Sequence, residues 1–254
     1  MFINNFDPIA IEFLSLEIRW YSLAYIVGIL LGWLMAKKIV IKNFEIYKNF
    51  DNYITYIIIG IIFGGRIGYV LIYNFEFYIS NLLDIFKVWE GGMSFHGGVI
   101  GIILVSILFA KKNNQNPYQY MDIVALVAPI GIFFGRIANF INSELYGTVA
   151  NLPWSVIFIQ IDNQPRHPSQ LYEALFEGIL LFLILIYYRN KGLMSKPGLI
   201  SGLFLIFYSI LRFIVEFFRV PDDHLGYLIF NLTTGQIISL IFLLIGMAIF
   251  YLKK

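Results

Sequence analysis

Seven stretches of mainly apolar residues run through this chain: Tyr21 to Ala36, Tyr53 to Tyr73, Ser94 to Ala110, Met121 to Ile141, Leu171 to Tyr188, Gly198 to Phe218 and Tyr227 to Leu252. Each is close to the roughly 20 residues a helix needs to cross a bilayer. In hydrocarbon every backbone N–H and C=O must be satisfied within the protein, so spans of this kind fold as helices. The predicted fold class is therefore an all-α membrane protein of about seven transmembrane helices. The third and fifth stretches are short, which leaves room for tilt or partial re-entry. Composition points the same way, since 59% of the 254 residues are hydrophobic and 13% charged. That is far more apolar than a soluble domain and excludes a water-soluble enzyme.

The 18 Lys and Arg residues orient the spans. Lys37, Lys38, Lys42, Lys48, Lys111, Lys112, Arg189, Lys191, Lys196, Lys253 and Lys254 fall on one side, while Arg19, Lys87, Arg166 and Arg219 fall on the other. The positive-inside rule makes the first side cytoplasmic, with the N-terminus outside and the C-terminus inside. The N-terminal segment lacks a basic start followed directly by an apolar run, so it does not read as a cleavable signal peptide. With no internal repeat and no long linker, residues 1–254 are expected to form one integral membrane domain. An extracytoplasmic insertion at 143–169 carries a strand or hairpin signal in Trp154 to Ile161, which would build a small cap.

Net charge and cysteine content exclude other classes. A formal charge of +2 with no basic run longer than two residues offers no surface for nucleic acid. Without a single Cys there is no disulfide, no thiolate metal site and no Cys nucleophile of the protein's own. His96, His167 and His224 show no metal-ligand spacing, so no metal is expected.

Charged residues inside spans cost about 2.5 to 3.5 kcal/mol each at mid-helix and need a reason. Three arginines, Arg66, Arg136 and Arg212, fall within or at the rim of spans. Tyr208, Arg212, Glu216 and Arg219 follow at spacings of four, four and three, which stacks them on one helical face. One reading is an intrahelical ion pair, and the other is an anion site facing the bundle interior. Arg136 and Asn139 share a face at the end of the fourth span, with Asn142 and Glu144 just beyond. A guanidinium flanked by two amides suits a phosphodiester, which it grips bidentately, although a snorkelling helix end is the plainer alternative. Arg66, within Gly64 to Tyr69, reads equally as a packing feature among glycines or as a binding group. His96 sits among four glycines where the chain re-enters the membrane, and is a candidate general base. Tyr21 reads first as an interfacial aromatic. Asp222-Asp223-His224 reads as a solvated outer loop.

Taken together, these segments resemble the prolipoprotein diacylglyceryl transferase family. The resemblance rests on the Gly-Arg-x-Ala-Asn-Phe-x-Asn-x-Glu-x-x-Gly run from Gly135 to Gly147, with Arg19-Trp20-Tyr21, Gly64 to Tyr69, His96-Gly97-Gly98, Arg166 to Glu173, and Tyr208 to Arg219 in order around it. It implies transfer of a diacylglyceryl group from phosphatidylglycerol to the lipobox Cys thiol of a prolipoprotein signal peptide. A thioether forms and glycerol phosphate leaves, and no cofactor is expected because the leaving phosphate ester carries the driving force. It further implies a multi-pass protein of the bacterial cytoplasmic (inner) membrane, with its active site toward the outer side. Arg136 and Arg212 match the family's essential arginines. Asn139, Glu144, Tyr21, His96, Tyr208, Glu216 and Arg219 match further site positions, and Arg66 and Asn142 are added as substrate-binding candidates. The segment between Gly147 and Arg166 is short beside other members, which leaves cap geometry and preprotein selectivity open. The competing functional class is a transporter or channel for an anionic solute, using the same arginines.

Overall fold

The computed structural model describes residues 1–13, 16–221, 226 and 228–254. Asp222, Asp223 and His224, expected to form an outer loop, lie outside the described residues. Among the described residues, seven helices are long and apolar enough to cross a membrane: Trp20–Val40, Phe44–Ile72, Phe95–Lys112, Pro117–Ile141, Ser169–Asn190, Leu199–Phe218 and Thr234–Lys253. Their outward faces carry side chains such as Ile26, Leu30, Leu104, Leu108, Leu183 and Leu244, all exposed. A surface of that kind is stable against lipid tails and not against water.

Two ends depart from the sequence reading by more than four residues. The second helix, α2 (Phe44–Ile72), starts nine residues before Tyr53. The Asn43 side chain accepts hydrogen bonds from the backbone N–H groups of Glu45 and Ile46 and so caps the helix. Lys48 and Asp51 in its first turns hide it from an apolar window. The last helix, α9 (Thr234–Lys253), starts seven residues after Tyr227, at a Thr233–Gln236 capping box. Phe230 and Asn231 just before it have φ of 58° and 57°, which no helix accommodates.

The chain divides into two compact units, residues 37–123 and residues 1–36 with 124–254. In the first, α2 packs on α4 (Phe95–Lys112) through glycines. A Cβ added to Gly97 would collide with the Gly64 carbonyl oxygen, and one on Gly64 would lie 2.9 Å from Gly101 Cα. Small residues four apart on both helices thus let the backbones touch, the way membrane helices associate without a hydrophobic driving force between them. Toward the other end of α4, Tyr53 is fully buried and meets the Ser106 hydroxyl at 2.7 Å.

The second unit contains α1 (Trp20–Met35), all of α5 (Pro117–Ile141) from residue 124 onward, α8 (Leu199–Val215) and α9. Its fifth span begins as α6 (Ser169–Glu173), passes through a π-helical stretch at Ala174–Leu180 and continues as α7 (Leu181–Asn190). A three-stranded sheet forms the cap. β1 (Phe2–Asn4) runs parallel to β4 (Val156–Phe158), which pairs antiparallel with β5 (Pro165–Arg166). The expected strand within 154–161 is therefore present, and its partner across the turn is the short β5. The parallel third strand comes from the N-terminus, with the buried Asn4 side chain donating to the Phe140 carbonyl at 2.6 Å. Phe140, Val156 and Phe158 form a small core beneath it. Strands β2 (Ile9–Phe13) and β3 (Leu16–Arg19) make a separate antiparallel pair leading into α1.

Candidate functional site

The second unit gathers charges from three helices. Arg136, near the end of α5, places Nε 2.8 Å from Glu173 Oε2 and Nη2 3.6 Å from Glu177 Oε2. Arg212, near the end of α8, places Nη1 against Glu173 Oε1 and 3.5 Å from Glu177 Oε1, with Nη2 2.5 Å from Glu216 Oε2. Arg219 Nη1 lies 3.7 Å from the same Glu216 oxygen, and Thr233 Oγ1 donates to Glu216 Oε1 at 2.9 Å. Glu173 and Glu177 are fully buried. The cluster thus sets three arginines against three glutamates, formally neutral, which is how ionised groups are tolerated away from water.

The two central arginines are held differently. Arg212 has short contacts to two carboxylates, and 9% of its side-chain surface is exposed. Arg136 has one short contact, to Glu173, and 20% of its side chain is exposed. Its remaining contacts are long: Glu177 at 3.6 Å and Asn139 Oδ1 at 3.5 Å. A Cβ on the neighbouring Gly135 would meet nothing within 4 Å. Arg136 is the member of the cluster with donors to offer on an accessible side.

Beyond Arg136 the polar run is knit together. Asn139 Nδ2 donates to Glu144 Oε2 at 2.9 Å, and Asn142 Nδ2 lies 3.4 Å from Glu144 Oε1. The Gln170 amide, fully buried, donates to the Glu144 carbonyl at 2.6 Å. Arg136, Asn139, Asn142 and Glu144 therefore form one hydrogen-bonded chain. Gly147, which closes the signature, sits where the cap crosses the end of α8. A Cβ there would lie 2.6 Å from the Phe218 carbonyl oxygen and would collide with that of His167, so no larger residue fits.

Arg219 is not on the regular helical face that its spacing suggested. Regular α-helix ends at Val215, a 3₁₀ turn spans Glu216–Phe218, and Arg219 is extended at φ −97° and ψ 148°. It bridges Gly147 across the cap seam and still reaches Glu216. The tighter turn rotates it off the stripe without carrying it away from the cluster. Tyr208, one turn before Arg212, stacks on Phe204 at 5.6 Å and lies within the field of Arg136 and Arg212. Tyr21 packs edge-on against Tyr25 at 5.1 Å, and Tyr25 is hydrogen-bonded to Tyr21 within the field of Arg136.

Outside the membrane spans, the cap has its own titrating groups. Arg166 hydrogen-bonds Asp162 at 2.5 Å across the β4–β5 turn and holds that carboxyl below its ordinary range. Burial lowers the His167 imidazole, which meets the Tyr172 hydroxyl at 3.1 Å. Trp154 donates to the same hydroxyl at 2.8 Å.

His96 and Arg66 belong to the other unit. His96 is the second residue of α4 and partly exposed, its ring edge-on to Phe95. Arg66, on α2, donates to four backbone carbonyls: Asp84 at 2.6 Å, Ile85 at 2.8 Å, Gly91 at 2.5 Å and Gly92 at 3.3 Å.

Sequence reasoning gave no role to Glu173, Glu177, Thr233 or Tyr25. The first two carried a signal: they are carboxylates four apart inside an apolar span, and the cost argument that singled out the arginines applies to them equally. Thr233 and Tyr25 carried none. Among the described residues no group of His and carboxylates is placed to hold a metal ion.

A family model described as prolipoprotein diacylglyceryl transferase matches residues 8–252. Similar proteins include one from Rickettsia felis, 52% identical over 95% of both chains, and one from Rickettsia typhi, 52% identical over 97% of this chain and 96% of its own. A third, from Rickettsia bellii, is 52% identical over 95% of this chain and 93% of its own. All three carry the name phosphatidylglycerol–prolipoprotein diacylglyceryl transferase.

Proposed function

This chain belongs to the prolipoprotein diacylglyceryl transferase family, and from that premise we propose that it moves the diacylglyceryl group of phosphatidylglycerol to the lipobox Cys thiol of a prolipoprotein. It is a multi-pass membrane enzyme. The reaction forms a C–S bond at a glyceryl carbon and breaks the C–O bond to phosphate, so glycerol phosphate leaves with the electron pair. Nothing favours a transporter or channel.

The observation that carries the mechanism is the unequal grip on Arg136 and Arg212. Negative charge grows on the leaving phosphate oxygen, and it is stabilised best by groups already in place that need no reorganisation. Arg212, held by Glu173 and Glu216, is the fixed charge. Arg136 grips the phosphodiester by exchanging its long contacts to Asn139 and Glu177 for phosphate oxygens, while Glu173 keeps its Nε in place. Asn139, Asn142 and Glu144 hold the glycerol head, and Tyr21 lines the same side. Tyr208 and Arg219 complete the wall around the leaving group. The attacking thiol has an ordinary pKa near 8.5 and must lose its proton. His96 accepts it in this reading, and no metal or cofactor takes part. In this reading the chemistry lies on the outer side of the membrane, which the positive-inside rule supports, and the membrane is the bacterial inner membrane, which family membership supports.

The test is mass spectrometry of a synthetic lipobox peptide incubated with the purified protein and phosphatidylglycerol in micelles, beside an Arg136→Ala control. A diacylglyceryl gain on the Cys, lost in the control and matched by released glycerol phosphate, is the expected result. Folded protein giving no gain with an accessible peptide would reject the reading.

A further inference from the structure

Arg66 makes four hydrogen bonds, all to backbone carbonyls of one segment that lies 18 to 26 residues further along the chain. Its guanidinium also sits 5.1 Å over the Tyr78 ring. The segment it holds contains two short 3₁₀ turns, Leu82–Phe86 and Val88–Glu90, and ends in Gly91 and Gly92 at φ of 87° and 76°. Two consecutive residues in that conformation are intrinsically loose and need an external clamp to take one geometry. Arg66 Nη1 contacts both of their carbonyls, and a Cβ on Gly92 would lie 3.0 Å from that same nitrogen.

The clamp leads directly into the start of α4. Ser94 N donates to the Gly65 carbonyl at 2.9 Å, one residue from Arg66, and the Ser94 hydroxyl caps the helix by accepting from Gly97 N at 3.2 Å. His96 lies inside that first turn. Gly65, Arg66, Gly91, Gly92 and Ser94 thus form a continuous frame from the C-terminal part of α2 to the residue assigned the thiol proton. A planar fork matches several carbonyls at once, which a lysine ammonium does not.

We propose that Arg66 is a positioning residue for diacylglyceryl transfer: it fixes the Gly91–Ser94 turn, and through it the placement of His96, and does not bind lipid phosphate. This rests on the reading of His96 as acceptor of the thiol proton. Displacing a reacting group by about 1 Å costs on the order of 10²-fold in rate, so Arg66→Ala should lower kcat by about that factor with KM for phosphatidylglycerol unchanged. A lipid-binding Arg66 would instead raise KM.

The absence of native cysteines allows a second, independent readout. Trp89, 77% exposed within the clamped segment, is replaced by Cys and spin-labelled. The label should become mobile in Arg66→Ala, and millimolar guanidinium, filling the carbonyl cage, should restore both label order and kcat. Arg66→Lys covers the case in which the alanine variant does not fold. It should fold with kcat down roughly tenfold, since three donors on one nitrogen cannot span the four carbonyls. Wild-type label order in Arg66→Ala, a KM effect without a kcat effect, wild-type behaviour of Arg66→Lys, or order restored by guanidinium without kcat would each overturn the proposal. If Arg66→Ala costs as much in a His96→Gln background as alone, Arg66 does not act through His96 and the proposal also fails. Near-normal turnover of His96→Gln by itself would reject His96 as the proton acceptor. The label and guanidinium results would then decide whether Arg66 sets the turn.

Discussion

Arg66 and Arg212 are both buried arginines on apolar helices, yet they are compensated in different ways. Arg66 is surrounded by carbonyl dipoles from one loop, so its full positive charge remains and its geometry serves the loop. Arg212 faces three carboxylates from two helices, so the local charge is cancelled and its geometry serves whatever enters the cluster. A guanidinium with carbonyl partners acts as a staple. One opposed by carboxylates is a charge kept in place, ready for negative charge that develops beside it. The chemistry of the partners separates these roles.

The largest test of that contrast is Arg212→Lys. Removing a preorganised group that stabilises the leaving charge should lower transfer about 10²- to 10³-fold. Lipid–peptide transfer kinetics on folded protein would show it, and a drop of less than tenfold would contradict the fixed-charge role. Glu173→Gln comes next, because Glu173 alone makes short contacts to both arginines. Breaking one partner of a buried pair costs about 3–5 kcal/mol, expected as a lower midpoint of thermal unfolding together with lost transfer. Glu177→Gln, whose contacts are 3.5 and 3.6 Å, should cost clearly less in both assays. Equal effects would mean that contact length does not rank these two carboxylates.

Gly97→Ala probes the other unit. Its new Cβ would collide with the Gly64 carbonyl oxygen, and overpacking of this kind costs about 1–3 kcal/mol. Thermal unfolding should detect it, with the milder Gly98→Ala as control, since a Cβ there first meets the Ile61 carbonyl oxygen at 3.9 Å.

The smallest effect lies in the cap. His167 is lowered below 6.5 by burial and Asp162 below 3.8 by its Arg166 bond. In each case the unfolded group binds the proton more readily, so the stabilisation is complete above the unfolded value and is lost as pH falls through the folded one. Of these two groups, His167 is the one whose contribution changes between pH 7.5 and pH 5.5. Amide exchange across residues 147–168, corrected for intrinsic rates, should show weaker protection at pH 5.5. His167→Gln should remove that difference, and persistence of the difference in the variant would assign it elsewhere.

Much of this site is legible in the order of the residues. Spacing groups Arg136, Asn139, Asn142 and Glu144, and the structure joins them in one hydrogen-bonded chain. Arg212 and Glu216 pair at four residues and meet at 2.5 Å. Glu173 and Glu177 are legible on the same ground, since carboxylates inside an apolar span carry the same cost as arginines and need partners of opposite charge. The start of α2 at Phe44 is obscured by charges in its first turns, where a helix end beyond the hydrocarbon readily carries them.

What the sequence determined by itself is what depends on side-chain type. The cost of leaving water is set residue by residue, so the number of spans, the lack of a thiol of the chain's own and the inventory of buried charges follow from composition and order alone. The tertiary structure decided what depends on the backbone. Carbonyls are chemically alike at every position, so nothing in the string of residues told Arg66 that Asp84, Ile85, Gly91 and Gly92 would be its partners. Nor did it tell the N-terminal strand Phe2–Asn4 that it would lie parallel to Val156–Phe158. Such pairings are fixed only when the helices have packed and brought distant backbone within hydrogen-bonding reach.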